Sequence, residues 1–199
     1  GIREHIMDLP YSFESYIALI AHYNTVIWPG QLVAGALALA CVLLPLITGS
    51  FSQRASGIIL AMLWAFVAIA FYHMHLSLIS FMAPLYTGAF LIQAVLMVIV
   101  TYSSASHAIR ITSHRVRAGL AIALIGLLGY PGLVLAVEGD WSAFRAPGAT
   151  PGSLVLLTIG LALMARLSAR ERSAILTIPF FYCLTAVFTC WYIWGCFLV

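Results

Sequence analysis

The stretch ASGIILAMLWAFVAIAFYHMHLSLI, residues 55–79, decides the fold of this chain. It contains no Asp, Glu, Lys or Arg, and it is longer than the roughly 20 apolar residues that an α-helix needs to cross a bilayer. A backbone inside lipid must pair its own N–H and C=O groups, which an α-helix does within one segment. The stretch is therefore predicted to be a transmembrane helix.

Five other apolar stretches follow the same pattern. Together the six predicted spans are Val26–Thr48, Ala55–Ile79, Pro84–Ser104, Val116–Val137, Gly152–Leu167 and Ala174–Val199. Only 8% of the 199 residues are charged and the mean hydropathy is +1.07, whereas a soluble domain has about 25% charged residues. We therefore predict an all-α polytopic membrane protein, in which residues 26–199 form one six-helix transmembrane bundle.

Residues 1–25 are predicted to form an N-terminal segment that precedes the bundle. Within Asp8–Asn24, apolar residues recur at helical spacing with polar residues between them. These apolar residues are Phe13, Ile17, Ile20 and Tyr23. We predict an interfacial amphipathic helix that lies in the outer headgroup layer, with docking on the bundle as the alternative.

The arginines indicate which way the bundle faces. All nine positively charged residues are Arg, and seven of them lie in the loops after the first, third and fifth predicted spans or at the span ends that border those loops. These seven are Arg54, Arg110, Arg115, Arg117, Arg166, Arg170 and Arg172. Because Arg in short loops is retained on the cytoplasmic side, both termini are predicted on the outer side of a bacterial cytoplasmic (inner) membrane. Membrane lipids are the expected partners, and the lack of a basic face with aromatic residues excludes nucleic acid.

Two histidines interrupt the outer end of the second predicted span. Ionisable residues inside a membrane are a functional hypothesis by default. His73 and His75 are two residues apart, so on a helix they point about 200° away from each other. A shared ion would need a ligand from another segment, and the candidates on the same side of the membrane are His22, Asn24, Gln31, Glu138 and Asp140. The three histidines are candidate ligands of a transition metal or haem, with structural hydrogen bonds inside the bundle as the alternative.

Five more polar residues are candidates for contact with a substrate or for clamps between helices. They are Asn24, Gln31, Gln93, Tyr72 and Tyr130. Tyr130 precedes Pro131, which removes a backbone hydrogen bond and is predicted to kink the fourth span. The kink either opens a cavity beside His73 or is a packing bend without functional consequence.

Short aromatic and proline motifs form a pattern along the chain. They are Tyr23-Asn24, Trp28-Pro29-Gly30-Gln31, Tyr72-His73, Tyr130-Pro131 and the Pro-Gly-rich loop before the fifth span. From Asp8 onwards this pattern resembles an uncharacterised family of small bacterial multi-pass membrane proteins, defined by a domain of unknown function. That family typically has a Pro-Cys-Pro-like element in the outer loop, where this chain has Pro147-Gly148-Ala149-Thr150-Pro151. The resemblance implies the fold and the Tyr-His position, and it implies no reaction.

Three functions are compatible with these features. The first is an accessory or structural subunit of a larger membrane complex, because the chain is compact and has no complete catalytic set. Its partners would be other integral membrane subunits, and the chain by itself is not expected to be an enzyme. The alternatives are a metal- or haem-binding membrane protein with an outer-side histidine site, and a small-solute transporter or channel entered beside Pro131. The scarcity of polar residues in the inner half counts against the transporter.

Overall fold

The computed structural model describes residues 13–47, 50–103, 113–139 and 144–193, and within these ranges it contains helices and no strand. The α-helices there are α1 Phe13–Ile27, α2 Gly30–Leu43, α3 Ser50–Phe66, α4 Ala83–Ser103, α5 His114–Leu124, α6 Tyr130–Glu138, α7 Pro151–Met164 and α8 Ala169–Phe188. The predicted all-α class is confirmed.

Three π-helical segments extend these helices. Val67–His73 continues α3, Ile125–Gly129 joins α5 to α6, and Thr189–Ile193 continues α8. A π-helix bonds each N–H to the carbonyl five residues earlier, and such segments are rare and frequently found at functional sites. Two 3₁₀ turns, Leu44–Leu46 and Leu76–Leu78, follow α2 and the first π segment.

The helix ends follow recognisable local rules. Ser168 and Glu171 form a capping box at the start of α8, each side chain accepting from the backbone N–H of the other. Pro151 occupies the first turn of α7, where its missing N–H costs no helical hydrogen bond. Gly139 ends α6 with a positive φ of 68°, which a residue without a Cβ adopts freely.

Four helices are long and apolar enough to cross a membrane. They are Phe51–Leu78, Ala83–Ser103, His114–Val137 and Ala169–Trp191. A further pair, Glu14–Ile27 with Gly30–Leu46, meets the same criterion jointly but bends by 91° at its break, where the Trp28–Pro29 peptide is cis. The described part of the chain therefore has four candidate spans, or five if the bent pair counts as one.

A helix lies where the amphipathic N-terminal segment is predicted. α1 begins at Phe13, and residues 8–12 of the prediction lie outside the described ranges. Its face with Leu19, Ile20 and Tyr23 is buried against the rest of the protein. The side of α1 that packs is thus defined, while its location in a headgroup layer stays a prediction.

α7 is a short helix enclosed by the others. Its 14 residues span about 21 Å at 1.5 Å per residue, less than the roughly 30 Å of a hydrocarbon core. Most of them are buried. A Cβ placed on Gly160 would lie 2.5 Å from the carbonyl oxygen of Gly119 in α5, so the two backbones approach as closely as small residues allow.

Candidate ligand-binding cavity

A cavity of about 240 Å³ lies at the end of the bundle where the π segments occur. Five of its lining residues are tyrosines and one is an arginine. The lining consists of Tyr16, Phe71, Tyr72, Leu76, Tyr86, Tyr130, Arg145, Tyr182, Thr185, Ala186, Thr189 and Cys190. No acidic side chain is among these described residues, and the wall of this tyrosine cavity carries one guanidinium and five phenol groups.

All three π segments border the tyrosine cavity. Tyr72 lies in the first segment, Tyr130 follows the second directly, and Thr189 and Cys190 lie in the third. A π segment has more residues per turn than an α-helix, and it therefore re-aims the side chains that follow it. On each of the three helices, a residue that lines the cavity therefore lies in a π segment or directly after it.

Ring contacts hold two of the tyrosines in place. The Tyr72 ring stacks on Tyr86 with 5.2 Å between centroids and an interplanar angle of 17°. Phe90 lies behind this pair, with its centroid 4.7 Å from Tyr72 and 5.9 Å from Tyr182. Aromatic pairs at these spacings are favourable beyond their buried area, so this wall of the cavity is preorganised.

Arg145 is the cation of the cavity. Only 5% of its surface is exposed, and its guanidinium carbon lies 5.2 Å from the centroid of the Tyr16 ring. A guanidinium within about 6 Å of an aromatic face is attracted by the ring quadrupole. The Tyr16 ring of α1 therefore packs against the guanidinium of Arg145 and stabilises its position.

The loop that carries Arg145 is held by two neighbouring side chains of α1. Tyr23 donates a 2.8 Å hydrogen bond from its hydroxyl to the Ala149 carbonyl, and Asn24 donates a 2.8 Å bond from Nδ2 to the Phe144 carbonyl. The two acceptors lie on either side of Arg145 in the chain. The predicted site residue Asn24 thus positions the arginine, rather than lining the cavity itself.

Two glycines allow close approach around the same loop. Gly148 has a φ of 74°, and a Cβ there would lie 2.7 Å from the Ala34 carbonyl oxygen of α2. A Cβ on Gly152 would lie 2.9 Å from the hydroxyl of Tyr130. The Pro-Gly-rich loop can therefore lie flat against α2, and the Tyr130 ring can lie against the first turn of α7.

The three predicted histidine ligands lie close to the tyrosine cavity but do not line it. His75 is buried and its Nδ1 is hydrogen-bonded to the Ala70 carbonyl. Since a carbonyl only accepts, Nδ1 is the donor of this hydrogen bond. The exposed His22 has its ring centroid 5.9 Å from that of His75, while His73 is exposed on another side of the helix.

The pairing of His22 with His75, and not with His73, agrees with the expected divergence of the two residues on one helix. Within the described residues, no group of three or more His, Cys, Asp or Glu side chains is placed to hold a metal ion. Binding of a transition metal or haem stays a prediction.

The remaining predicted polar residues are divided between the cavity and the helix contacts. Tyr72 and Tyr130 line the cavity. Gln93 is fully buried and donates from Nε2 to the Ile175 carbonyl at 2.9 Å, as expected of a clamp between helices. Gln31 is half-buried in the first turn of α2, and its Oε1 has no hydrogen-bond partner in the described structure.

Three tyrosines and the arginine of the cavity were not among the predicted site residues. Tyr86 and Tyr182 lie in apolar stretches and Tyr16 lies in the amphipathic segment, where tyrosine also serves as ordinary packing. Arg145 is one of the two arginines outside the three arginine-containing loops. Its isolation from the other arginines, in a loop rich in Ala, Pro and Gly, was the available signal.

The fold and the cavity define a class of protein. It is all-helical over the described residues, several of its helices are apolar enough to cross a membrane, and one end of the bundle holds an aromatic cavity with a buried arginine. The chain belongs to a family of unknown function, DUF6064, which matches residues 13–195. The predicted resemblance to an uncharacterised family is thereby confirmed. No curated protein and no solved structure matches the chain.

Proposed function

We propose that the protein crosses a bacterial inner membrane six times and binds a small organic anion in the tyrosine cavity, on the outer side. Six crossings result if α2 crosses alone after the bend and the enclosed α7 crosses as a short helix. α1 then lies along the outer surface with both termini outside. The apolar lengths of the other four helices support this arrangement.

The orientation is supported by the ends at which the cations lie. Arg54 and Arg166 line a second cavity at the end of the bundle opposite the tyrosine cavity. Arg115 and Arg170 begin α5 and α8 at that same end, and Arg110 lies outside the described residues. With the arginine-rich end in the cytoplasm, the tyrosine cavity faces outwards.

Buried Arg145 is the observation that carries the anion proposal. A guanidinium has five N–H donors in a planar fork that matches a carboxylate, sulfonate or phosphate group. The surrounding tyrosine hydroxyls add neutral donors, and Phe71 and Leu76 add apolar surface. The volume of about 240 Å³ is just below the usual range of small-molecule sites, roughly 300–1,000 Å³. The fitting ligand is therefore a small anion with an aromatic or apolar body.

Binding of benzenesulfonate to the purified protein in detergent tests this proposal. Benzenesulfonamide is the neutral control, because it keeps the ring and removes the charge. We expect calorimetry to show binding of benzenesulfonate, and Arg145→Gln to weaken it by roughly 10- to 100-fold, which corresponds to the loss of about 1.5–3 kcal/mol for a charged hydrogen bond. Arg170→Gln, an exposed arginine at the other end of α8, is the matched control and should leave the affinity unchanged.

Two results would contradict the proposal. One is equal affinity for benzenesulfonate and benzenesulfonamide, since the charge would then contribute nothing. The other is the absence of binding by benzenesulfonate, benzoate and phenyl phosphate alike.

The accessory-subunit hypothesis predicts instead a defined partner that co-purifies with the chain. The exposed apolar faces of α4 and α8 suit lipid and partner helices equally, so the cavity is the more specific observation.

A further inference from the structure

A second cavity, the distal cavity, lies at the arginine-rich end of the bundle and measures about 120 Å³. Polar groups in its lining include Arg54, Ser56, Thr101, Thr158 and Arg166. The inner half of the bundle was expected to be poor in polar residues. These side chains come from α3, α4, α7 and the loop after α7. They meet only in the folded protein, which is why the sequence does not reveal them as a group.

The two cavities lie along the same three helices. On α8, Ile175 lines the distal cavity and Tyr182 lines the tyrosine cavity, an axial separation of about 10 Å at 1.5 Å per residue. On α4 the corresponding residues are Met97 and Tyr86. α3 contributes Leu60 to the distal cavity and leads into the π segment that carries Tyr72.

A layer of three fully buried side chains separates the cavities. Trp64, Phe90 and Gln93 form this barrier, each with at most 1% of its surface exposed. The rings of Trp64 and Phe90 are 4.4 Å apart, and Trp64 donates from Nε1 to the hydroxyl of Thr158, 2.9 Å away in the distal wall. Phe90 contacts Tyr72 on the other side. The barrier is thus in direct contact with the walls of both cavities.

α8 has a built-in weak point at the level of the barrier. Pro179 lies inside the helix, between Ile175 and Tyr182, and it has no N–H for the carbonyl four residues earlier. That carbonyl belongs to Ile175, and Gln93 of the barrier donates to it at 2.9 Å. Gln93 therefore replaces the hydrogen bond that the proline removes, and it ties α8 to the barrier.

The other end of the Gln93 amide is unsatisfied. Its Oε1 is buried and has no hydrogen-bond partner among the described residues, although a buried carbonyl without a partner is costly and rare. A donor from water or ligand that enters the barrier would complete this amide. The barrier thus contains one buried acceptor, Oε1 of Gln93, to which a water molecule that enters the barrier can donate.

We propose that the protein is a transporter of small organic anions, in which the Trp64–Phe90–Gln93 barrier separates an outer and an inner cavity and opens when α8 bends at Pro179. The proposal rests on the proposed function, because the tyrosine cavity supplies the outer binding site. Bending releases the Gln93–Ile175 hydrogen bond, water reaches Oε1, and the anion passes to the arginines of the distal cavity. Hinges of this kind are formed by a few positions that absorb a change of direction.

Uptake of benzenesulfonate into proteoliposomes tests the transport step, because its permanent charge prevents passage through lipid alone. Wild-type protein should carry it in faster than protein-free liposomes do, and Arg145→Gln should abolish the difference.

Pro179→Ala restores a backbone donor for the Ile175 carbonyl and stiffens α8. It should lower the flux by roughly tenfold, as hinge changes do, while benzenesulfonate binding measured by calorimetry is unchanged. Pro84→Ala is the matched control, since Pro84 is exposed in the first turn of α4 and frees no carbonyl.

The outcomes separate the two proposals. Binding together with flux that Pro179→Ala lowers supports both. Binding by wild-type protein with no flux above protein-free liposomes overturns transport and leaves the binding function. Flux that is equal in wild type and Pro179→Ala overturns the hinge. No binding by any of the anionic probes overturns the proposed function and transport with it. The wild-type comparison holds even if a variant fails to fold.

Discussion

Tyr23 and Asn24 show how one dipeptide can define a site that it does not touch. Their hydrogen bonds to the Ala149 and Phe144 carbonyls bracket the turn that presents Arg145. Both side chains are buried, so these bonds are shielded from water. Through these two hydrogen bonds the dipeptide joins α1 to the loop that carries Arg145.

Asn24→Ala should therefore weaken both stability and binding. Removal of the amide leaves the Phe144 carbonyl without this donor, which costs about 1–3 kcal/mol of unfolding free energy, and it loosens the loop under Arg145. Chemical unfolding in detergent and benzenesulfonate calorimetry measure the two effects. Thr25→Ala is the control, because Thr25 is exposed and bonds only to the Ala21 carbonyl of its own helix. Equal stability and affinity for the two variants would show that Asn24 has no positioning role.

At the residue scale, the sequence predicted some individual residues and missed the group. Tyr72 and Tyr130 were singled out because a polar group or a proline marked them. Tyr16 and Tyr182 also line the cavity, but a tyrosine with apolar neighbours in a helix is equally typical of packing. Arg145 becomes a site residue only through contacts made across more than a hundred positions of the chain.

The helices were predicted more accurately than their irregularities. The prediction of a span at Pro84–Ser104 corresponds to the candidate span Ala83–Ser103, and the prediction at Val116–Val137 corresponds to the candidate span His114–Val137. Apolar run length determines such boundaries. The π segments are different, because whether a helix widens depends on packing against its neighbours and on no simple spacing in the sequence. The end of the sixth predicted span, residues 194–199, lies outside the described structure.

The contact of α5 with α7 provides a test at the scale of elements. A Cβ at Gly160 would lie 2.5 Å from the Gly119 carbonyl oxygen and 2.6 Å from the Ala123 nitrogen. Gly160→Ala must push the two helices apart, and such overpacking costs about 1–3 kcal/mol. Melting temperature in detergent should fall. Gly132→Ala, where a Cβ meets nothing within 4 Å, should leave it unchanged or raise it, because Ala favours a helix more than Gly does. A similar fall in both variants would mean that the contact of α5 with α7 is not the cause.

The whole molecule places its two kinds of polar group at opposite ends. The tyrosine cavity and Arg145 lie at one end, and Arg54 and Arg166 lie at the other. Between them the described interior is aromatic and aliphatic, apart from clamps such as Gln93 and Thr158. In the proposed orientation, the tyrosine cavity lies on the outer side and the arginine-rich end lies on the cytoplasmic side.

Fusion reporters test that orientation. Alkaline phosphatase is active only outside the cytoplasm. Green fluorescent protein shows the reverse, because it does not fluoresce after export in unfolded form and fluoresces only when it folds in the cytoplasm. With six crossings and outer termini, phosphatase fused after Val199 should be active and phosphatase fused after Arg110 should be inactive, with fluorescence showing the reverse. The same activity at both positions would mean an even number of crossings between them, and the six-span arrangement would be wrong.

The π segments have a consequence for how the family should be compared. Each accommodates an extra residue in what would otherwise be a regular α-helix, so loss of one residue within Val67–His73 would restore the regular helix, keep the flanking turns in place and change the direction of the side chains inside the segment, Tyr72 among them. Hydropathy and span length would hardly change. In an alignment, a one-residue gap at Val67–His73, Ile125–Gly129 or Thr189–Ile193 would therefore separate relatives that keep only the bundle from relatives that also keep the cavity, even where every tyrosine is retained.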